Sequence, residues 1–145
     1  MNKLKRHAIV PFSTHQMFSL VDQIEAYPAF LPWCGNATVT ERTDSEVVAT
    51  LQIAWKGVHK SFTTRNLLEP HSRMEMQLLD GPLKHLNGIW QFAPLGEAAC
   101  KITLDLEFEF SGGWIDRLFQ PVFQQIANTL VDAFCKRAVE LYGNK

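Results

Sequence analysis

The chain has 145 residues, 46% of them hydrophobic and 20% charged, with a formal net charge of −1. That is the size and composition of one globular domain, able to bury a core without help from a metal or a disulfide. The near-neutral balance excludes a global field that would draw nucleic acid or an acidic membrane, and no apolar run approaches the ~20 residues of a membrane span. Three widely separated cysteines, Cys34, Cys100 and Cys135, argue against a disulfide framework or a zinc site and make a reducing cytoplasm the simplest compartment.

The basic head Met1–His7 lacks the apolar core of a signal peptide and is too short and serine-poor for a transit peptide. His7-Ala8-Ile9-Val10 predicts a short first strand, ended by Pro11. Ser13 sits where an N-cap belongs, ahead of a short helix whose apolar side carries Met17, Phe18 and Val21. A turn over residues 22–27 leads into Tyr27-Pro28-Ala29-Phe30-Leu31-Pro32-Trp33-Cys34, which holds two prolines and three aromatics and no charge. Each proline lacks an N–H and pushes the residue before it towards an extended backbone. The segment is therefore a rigid apolar loop or helix end, which either plugs the core or walls an apolar site.

From residue 36 the hydrophobic period becomes two. Val47, Ala49, Leu51, Ile53 and Trp55 share one parity; Val58, Phe62 and Leu68 share the next, with Asn66, against His59, Thr63 and Arg65. Met74, Met76 and Leu78 follow, then Leu86, Gly88, Trp90 and Phe92. The clearest run is Cys100, Ile102, Leu104, Leu106, Phe108 and Phe110 against Lys101, Thr103, Asp105, Glu107 and Glu109, a strand with one wet face. Gly57, Glu69-Pro70-His71-Ser72, Asp80-Gly81-Pro82 and Pro94-Leu95-Gly96 break these runs at hairpin spacing, so the strands are antiparallel.

After Ser111-Gly112-Gly113 the period becomes 3.6. Ile115, Leu118, Val122, Ile126, Leu130, Phe134, Ala138 and Leu141 form one side, widened by Phe119, Phe123, Ala127 and Val131, and Gly143 ends the helix. Pro121 either kinks this helix or opens a separate one after a short turn over residues 114–119. A long helix with so wide an apolar side must bury it against the inner face of a curved antiparallel sheet. The class is α+β, in one domain spanning 1–145.

The pieces Tyr27-Pro28-x-Phe30-Leu31-Pro32-Trp33-Cys34, Ser61-Phe62-Thr63-Thr64-Arg65-Asn66, Asp80-Gly81-Pro82-Leu83-Lys84-x-Leu86-x-Gly88-x-Trp90-x-Phe92, Phe108-Glu109-Phe110, Ala133-Phe134-x-x-Arg137-Ala138 and Leu141-Tyr142-Gly143 occur in one order over essentially the whole length. With them the chain resembles the START-like (helix-grip, SRPBCC) superfamily, and within it the group of the coenzyme Q-binding proteins and the ribosome association toxin RatA. Leu83 stands where that pattern has phenylalanine, which bears on pocket shape more than on fold. The resemblance implies a helix-grip fold in the order β-α-α-β6-α, a single START-like coenzyme Q-binding domain, and a ligand cavity bordered by the proline loop.

On that basis the candidate ligand-binding residues are Phe30, Leu31, Pro32 and Trp33 of the loop, Trp55, Phe62, Asn66, Leu83, Trp90 and Phe92 of the strands, and Phe123 and Phe134 of the helix. Inward aromatics are by default core, yet this many facing a phenylalanine-rich helix suit a quinone ring or an isoprenoid tail. Asn66 would hydrogen-bond a carbonyl head group, while Arg65 is expected in a surface ion pair. Lys84 and His85 follow a Gly-Pro turn as a solvated tip or, with Lys56, Lys60, His59, Lys3, Lys5 and Arg6, as a basic patch touching ribosomal RNA phosphates. Asp105, Glu107 and Glu109 read as a solvated face, and no nucleophile, phosphate-loop or metal motif is present.

The expected function is non-enzymatic binding of a lipophilic ligand, ubiquinone or another polyprenyl lipid, in support of respiratory quinone function, with no cofactor required. The alternative implied by the resemblance is a toxin that binds the large ribosomal subunit and blocks subunit association; a small-molecule cyclase or dehydratase is third. The expected setting is the bacterial cytoplasm with transient contact at the inner membrane, and no DNA partner.

Overall fold

The computed structural model describes residues 2–112 and 116–143. In chain order the elements are β1 (Asn2–Val10), α1 (Thr14–Asp22), a 3₁₀ helix (Ile24–Ala29), β2 (Cys34–Arg42), β3 (Glu46–Trp55), β4 (Val58–Glu69), β5 (Arg73–Asp80), β6 (Leu83–Pro94), β7 (Cys100–Phe110) and α2 (Asp116–Tyr142). The strands form one curved antiparallel sheet in the order β1-β7-β6-β5-β4-β3-β2, with α2 packed across its inner face. The expected helix-grip order is present, the second of its two short helices being a 3₁₀ helix that contains Pro28.

Local sequence explains most element ends. The Ser13 hydroxyl accepts a hydrogen bond from the Gln16 N–H, and Gln16 Oε1 accepts one from the Ser13 N–H, so two otherwise orphaned donors of α1 are satisfied. Lys56 and Gly57, both at positive φ (52° and 83°), make the tight two-residue turn from β3 to β4, with Trp55 paired to Val58. Gly88 lies mid-strand in β6: a Cβ there would come within 2.6 Å of Met76 Cε and 2.8 Å of Leu106 Cδ2. The missing side chain makes room for those two on the inner face of the sheet.

Three expectations need correction. The first strand begins at Asn2, not His7: the basic head is strand, paired Lys3↔Glu107 and Lys5↔Asp105, with Leu4 and Ala8 packed on the core. Its alternation was obscured by Arg6, which shares the inward parity but reaches across to Asn128 of α2. On α2, Leu118 is 69% exposed and Leu141 is also exposed, while Phe119, Val122, Phe123, Ile126, Ala127, Val131, Phe134 and Ala138 are buried. A four-residue step overshoots the helical turn by about 40°, so Leu118, two steps before Ile126, has rotated off the buried side and Phe119 takes its place. Finally, Pro121 does not open a separate helix: α2 begins at Asp116 and runs through it, and the proline is exposed near the N-terminal end. Only the Arg117 carbonyl loses its helical donor there. Gly113, Trp114 and Ile115 lie outside the described residues.

Aromatic edges knit the interior. The Trp90 ring meets Phe134 at 5.4 Å and Phe92 at 6.2 Å, Phe92 meets Phe18 of α1, and Phe108 meets Phe123 at 5.1 Å. These contacts, edge-on except for the stacked Trp90–Phe92 pair, stabilise the core beyond the area they bury. Replacement of the cap, Ser13→Ala, is expected to cost ~1 kcal/mol, read as a lower urea midpoint at unchanged m-value.

Candidate functional site

Strand alternation carries a small set of side chains to the space between sheet and helix: Ala49 and Leu51 from β3, Phe62, Thr64 and Asn66 from β4, Met76 from β5, Leu86 and Trp90 from β6, and Leu106 from β7. Phe123, Ile126, Ala127, Leu130 and Phe134 of α2 face them, and Ile24, Tyr27 and Trp33 close one end. The cavity, partly open to the outside, measures about 80 Å³. An apolar cavity of about 150 Å³ takes up one benzene, so in this conformation the space is smaller than a quinone ring. Occupation by anything larger requires a wall to move.

Apart from the Tyr27 hydroxyl and the indole N–H groups of Trp33 and Trp90, the polar part of the lining is one pair of side chains. Asn66 is 3% exposed and Thr64 is buried beside it. The Thr64 hydroxyl donates to Asn66 Oδ1 at 2.9 Å, which takes up one of that oxygen's two lone pairs; no group among the described residues accepts from Asn66 Nδ2. Tyr27 also lines the space, but its hydroxyl donates to the Val21 carbonyl, and burial, reinforced by Asp22 and Cys34, holds the phenol protonated far above its usual range. The described lining therefore contains no acid or base that titrates near neutrality, and no group of three or more metal-ligating side chains occurs among the described residues.

A second concavity, of about 470 Å³, lies outside the first, between the proline loop and α2. Phe30, Leu31, Pro32 and Trp33 form one side, Trp55 an end, and Thr129, Asp132, Ala133, Lys136, Arg137 and Glu140 the other side. Trp33 lines both spaces. The Arg137 guanidinium lies 5.2 Å from the Phe30 ring centre and pairs with Glu140 at 3.3 Å. The Lys56 ammonium lies 4.5 Å over Trp55 and donates to Gln125 at 2.7 Å.

The residues singled out from sequence thus separate into three groups. Trp33, Phe62, Asn66, Trp90, Phe123 and Phe134 line the cavity. Phe30, Leu31, Pro32 and Trp55 line the outer groove instead, with Trp33 between. Leu83 and Phe92 line neither: Leu83 is buried opposite Phe110 at the start of β6, and Phe92 is buried against Phe18 and Trp90. Parity assigns a side chain to a face of the sheet but not to a depth along it, which is why Trp55 and Phe92, on the expected face, miss the cavity. Thr64 went unremarked, although it shares the parity of Phe62 and Asn66 and sits between them.

Lys56, Lys60, Lys84 and His85 gather at one end of the sheet, where the β3–β4 and β5–β6 turns meet the start of β1. Lys84 is paired with Glu109 at 3.3 Å and Lys3 with Glu107 at 3.9 Å, while neither Lys56 nor Lys60 has a carboxylate partner among the described residues. Arg65 pairs with Glu46 on the outer face, as expected.

Cys34, which ends the proline loop, is buried, and burial pushes its thiol up to about 11, against a smaller opposing effect of its hydrogen bond to the Asn36 carbonyl. The folded state thus keeps the proton that the unfolded chain loses above pH ~9. Stability contributed by this group is complete below pH 9 and falls as pH rises towards 11. Cys34→Ala is expected to flatten the decline of the urea midpoint across that window, and an unchanged slope would refute the assignment.

Comparison with known proteins places this geometry. Residues 10–135 match the family described as polyketide cyclase / dehydrase and lipid transport. The ribosome association toxin RatA of Pseudomonas aeruginosa is 46% identical over 140 residues, covering 97% of each chain. The mitochondrial coenzyme Q-binding protein COQ10 homolog B of Xenopus laevis is 28% identical over 141 residues, covering 94% of this chain and 58% of that one. A START superfamily protein from Mycobacterium smegmatis superposes with a TM-score of 0.77 at 20% identity, covering 96% of this chain and 98% of that one. The chain belongs to the polyketide cyclase / dehydrase and lipid transport family of START-like proteins, in the group that holds the RatA toxins and the coenzyme Q-binding proteins.

Proposed function

We propose that this protein acts on ribosome association, binding the large ribosomal subunit in the cytoplasm and opposing subunit joining. The observation that carries this reading is the 46% identity to a ribosome association toxin over 97% of both chains. The sheet end bearing Lys56 and Lys60 supports it, because two cations without a carboxylate partner among the described residues can meet phosphate without first breaking an ion pair. The described cavity lining, without a group that titrates near neutrality, offers no acid–base pair for a cyclase or dehydratase. Added to separated ribosomal subunits, the protein is expected to lower the monosome peak in a sucrose gradient. A Lys56→Glu/Lys60→Glu variant is expected to require a several-fold higher concentration and to show a salt slope shallower by about two. Monosomes unchanged by the wild-type chain would overturn the reading.

A second activity is favoured by the cavity itself: reversible binding of an apolar molecule between sheet and α2. Its support is the apolar lining around a buried amide and the likeness to a coenzyme Q-binding protein. Each buried CH₂ of a ligand tail contributes ~0.8 kcal/mol, a non-directional term that rewards length over identity. Ubiquinone and other polyprenyl lipids are the molecules of this class we propose. Organic extraction of protein purified from its host, followed by mass spectrometry, is expected to yield such a lipid. Its absence above the level in a cavity-filled Ala127→Phe variant would count against this activity.

A further inference from the structure

We propose that Asn66 determines what the cavity accepts: its amide hydrogens select a neutral ligand bearing a carbonyl oxygen, which enters head first past the Trp33 side chain from the outer groove. This rests on the ligand-binding activity proposed above and specifies its chemistry.

The selection follows from hydrogen-bond capacity. A primary amide has two donors and an oxygen that can accept twice, and the Thr64 hydroxyl donates one bond to that oxygen at 2.9 Å. What Asn66, 3% exposed, offers the cavity is a donor without a partner among the described residues. A buried donor left unpaired is costly, so a ligand that supplies an acceptor is favoured over one that does not. A carbonyl suits the site better than an alcohol, whose own hydrogen would have to share the Asn66 oxygen with the Thr64 hydroxyl. A carboxylate is disfavoured, because no cation lines the cavity among its described residues. The chemistry that remains is a ketone, ester or quinone on an otherwise hydrocarbon body.

The route follows from the shared wall. Trp33 borders both the inner cavity and the outer groove. Its backbone is held on both sides, by the Ala54 N–H donating to the Trp33 carbonyl at 2.9 Å and the Cys34 N–H donating to the Leu31 carbonyl at 3.0 Å. The backbone is therefore fixed, so passage between the two spaces requires the buried indole to change rotamer. A swing of that side chain joins the two spaces, leaving a tail along Phe30, Pro32 and Trp55.

The test uses the full chain and a matched pair of probes: decyl phenyl ketone and the hydrocarbon in which a methylene group replaces the carbonyl oxygen. Binding is read by ligand-observed NMR and association by stopped-flow fluorescence. The wild type is expected to prefer the ketone by roughly tenfold to a hundredfold. Asn66→Leu is expected to erase that preference while retaining the hydrocarbon, and Thr64→Val, which only frees the amide to turn, to reduce it. Trp33→Ala is expected to raise the association rate several-fold with the preference intact. Equal affinity of the wild type for both probes would overturn the selection while leaving the ligand-binding reading standing; binding of neither would overturn both. A ketone preference that survives Asn66→Leu overturns the role of Asn66, and an unchanged association rate in Trp33→Ala overturns the route.

Discussion

The phenylalanine-rich side of α2 has to be covered, and the rest of the molecule is arranged around that requirement. Phe119, Phe123 and Phe134, with the aliphatic residues between them, are too broad a surface for α1 alone. Only the inner face of the seven-stranded sheet is large enough. Covering a helix of 27 residues demands that the sheet curve along it, and curvature brings the first strand beside the last. β1 then pairs with β7 and places Arg6 against Asn128 of the helix. A pairing that joins the start of the chain to residue 108 belongs late in folding, because its loop-closure cost precedes its reward.

The same aromatic crowding limits the cavity. Rings of Trp90, Phe134, Phe108 and Phe123 meet edge to face at 5.1–5.4 Å and leave about 80 Å³ between sheet and helix. Gly88 keeps even that space open by leaving Met76 and Leu106 room to lie flat. Into this setting the chain places Thr64 and Asn66, two polar residues where leucine or valine would pack without an unpaired donor. A local rule broken inside a core otherwise obeyed marks function more sharply than another aromatic would. The proline loop has the complementary task. Backbone hydrogen bonds tie it to the 3₁₀ helix and to β3, so it is a fixed rim whose side chains, rather than its path, separate inside from outside.

The two proposed activities occupy different parts of the molecule. Lys56 and Lys60 stand at the turn end of β3 and β4, whereas the amide lies deeper on β4, and the same strand carries both Lys60 and Asn66. Lys56 also rests on Trp55, which borders the outer groove. A ligand tail in that groove and a phosphate at Lys56 would therefore meet across one indole ring.

Much of this was legible in the residues. Period-two runs with Gly and Pro between them mark hairpins, because strand side chains alternate and tight turns need positive φ or a fixed one; Phe62 and Asn66 could be assigned to one face on that ground alone. The 3.6 period after residue 112 likewise marks a helix that needs a partner. Periodicity could not tell depth from face. Trp55, Phe92 and Leu83 have the parity or company of cavity residues, yet the length of each strand and the tilt of α2 across the sheet carry them past its ends. Nor could it separate Leu118 from Phe119, adjacent residues divided by one helical step, or show β1 behind its charges. Sequence by itself determined the alternation, the turns and the amphipathic helix, since these depend on neighbours along the chain. Tertiary structure alone decided that Thr64 donates to the Asn66 oxygen, that Trp33 divides two spaces, and how little room the rings leave, since those depend on where residues far apart in the chain come to rest.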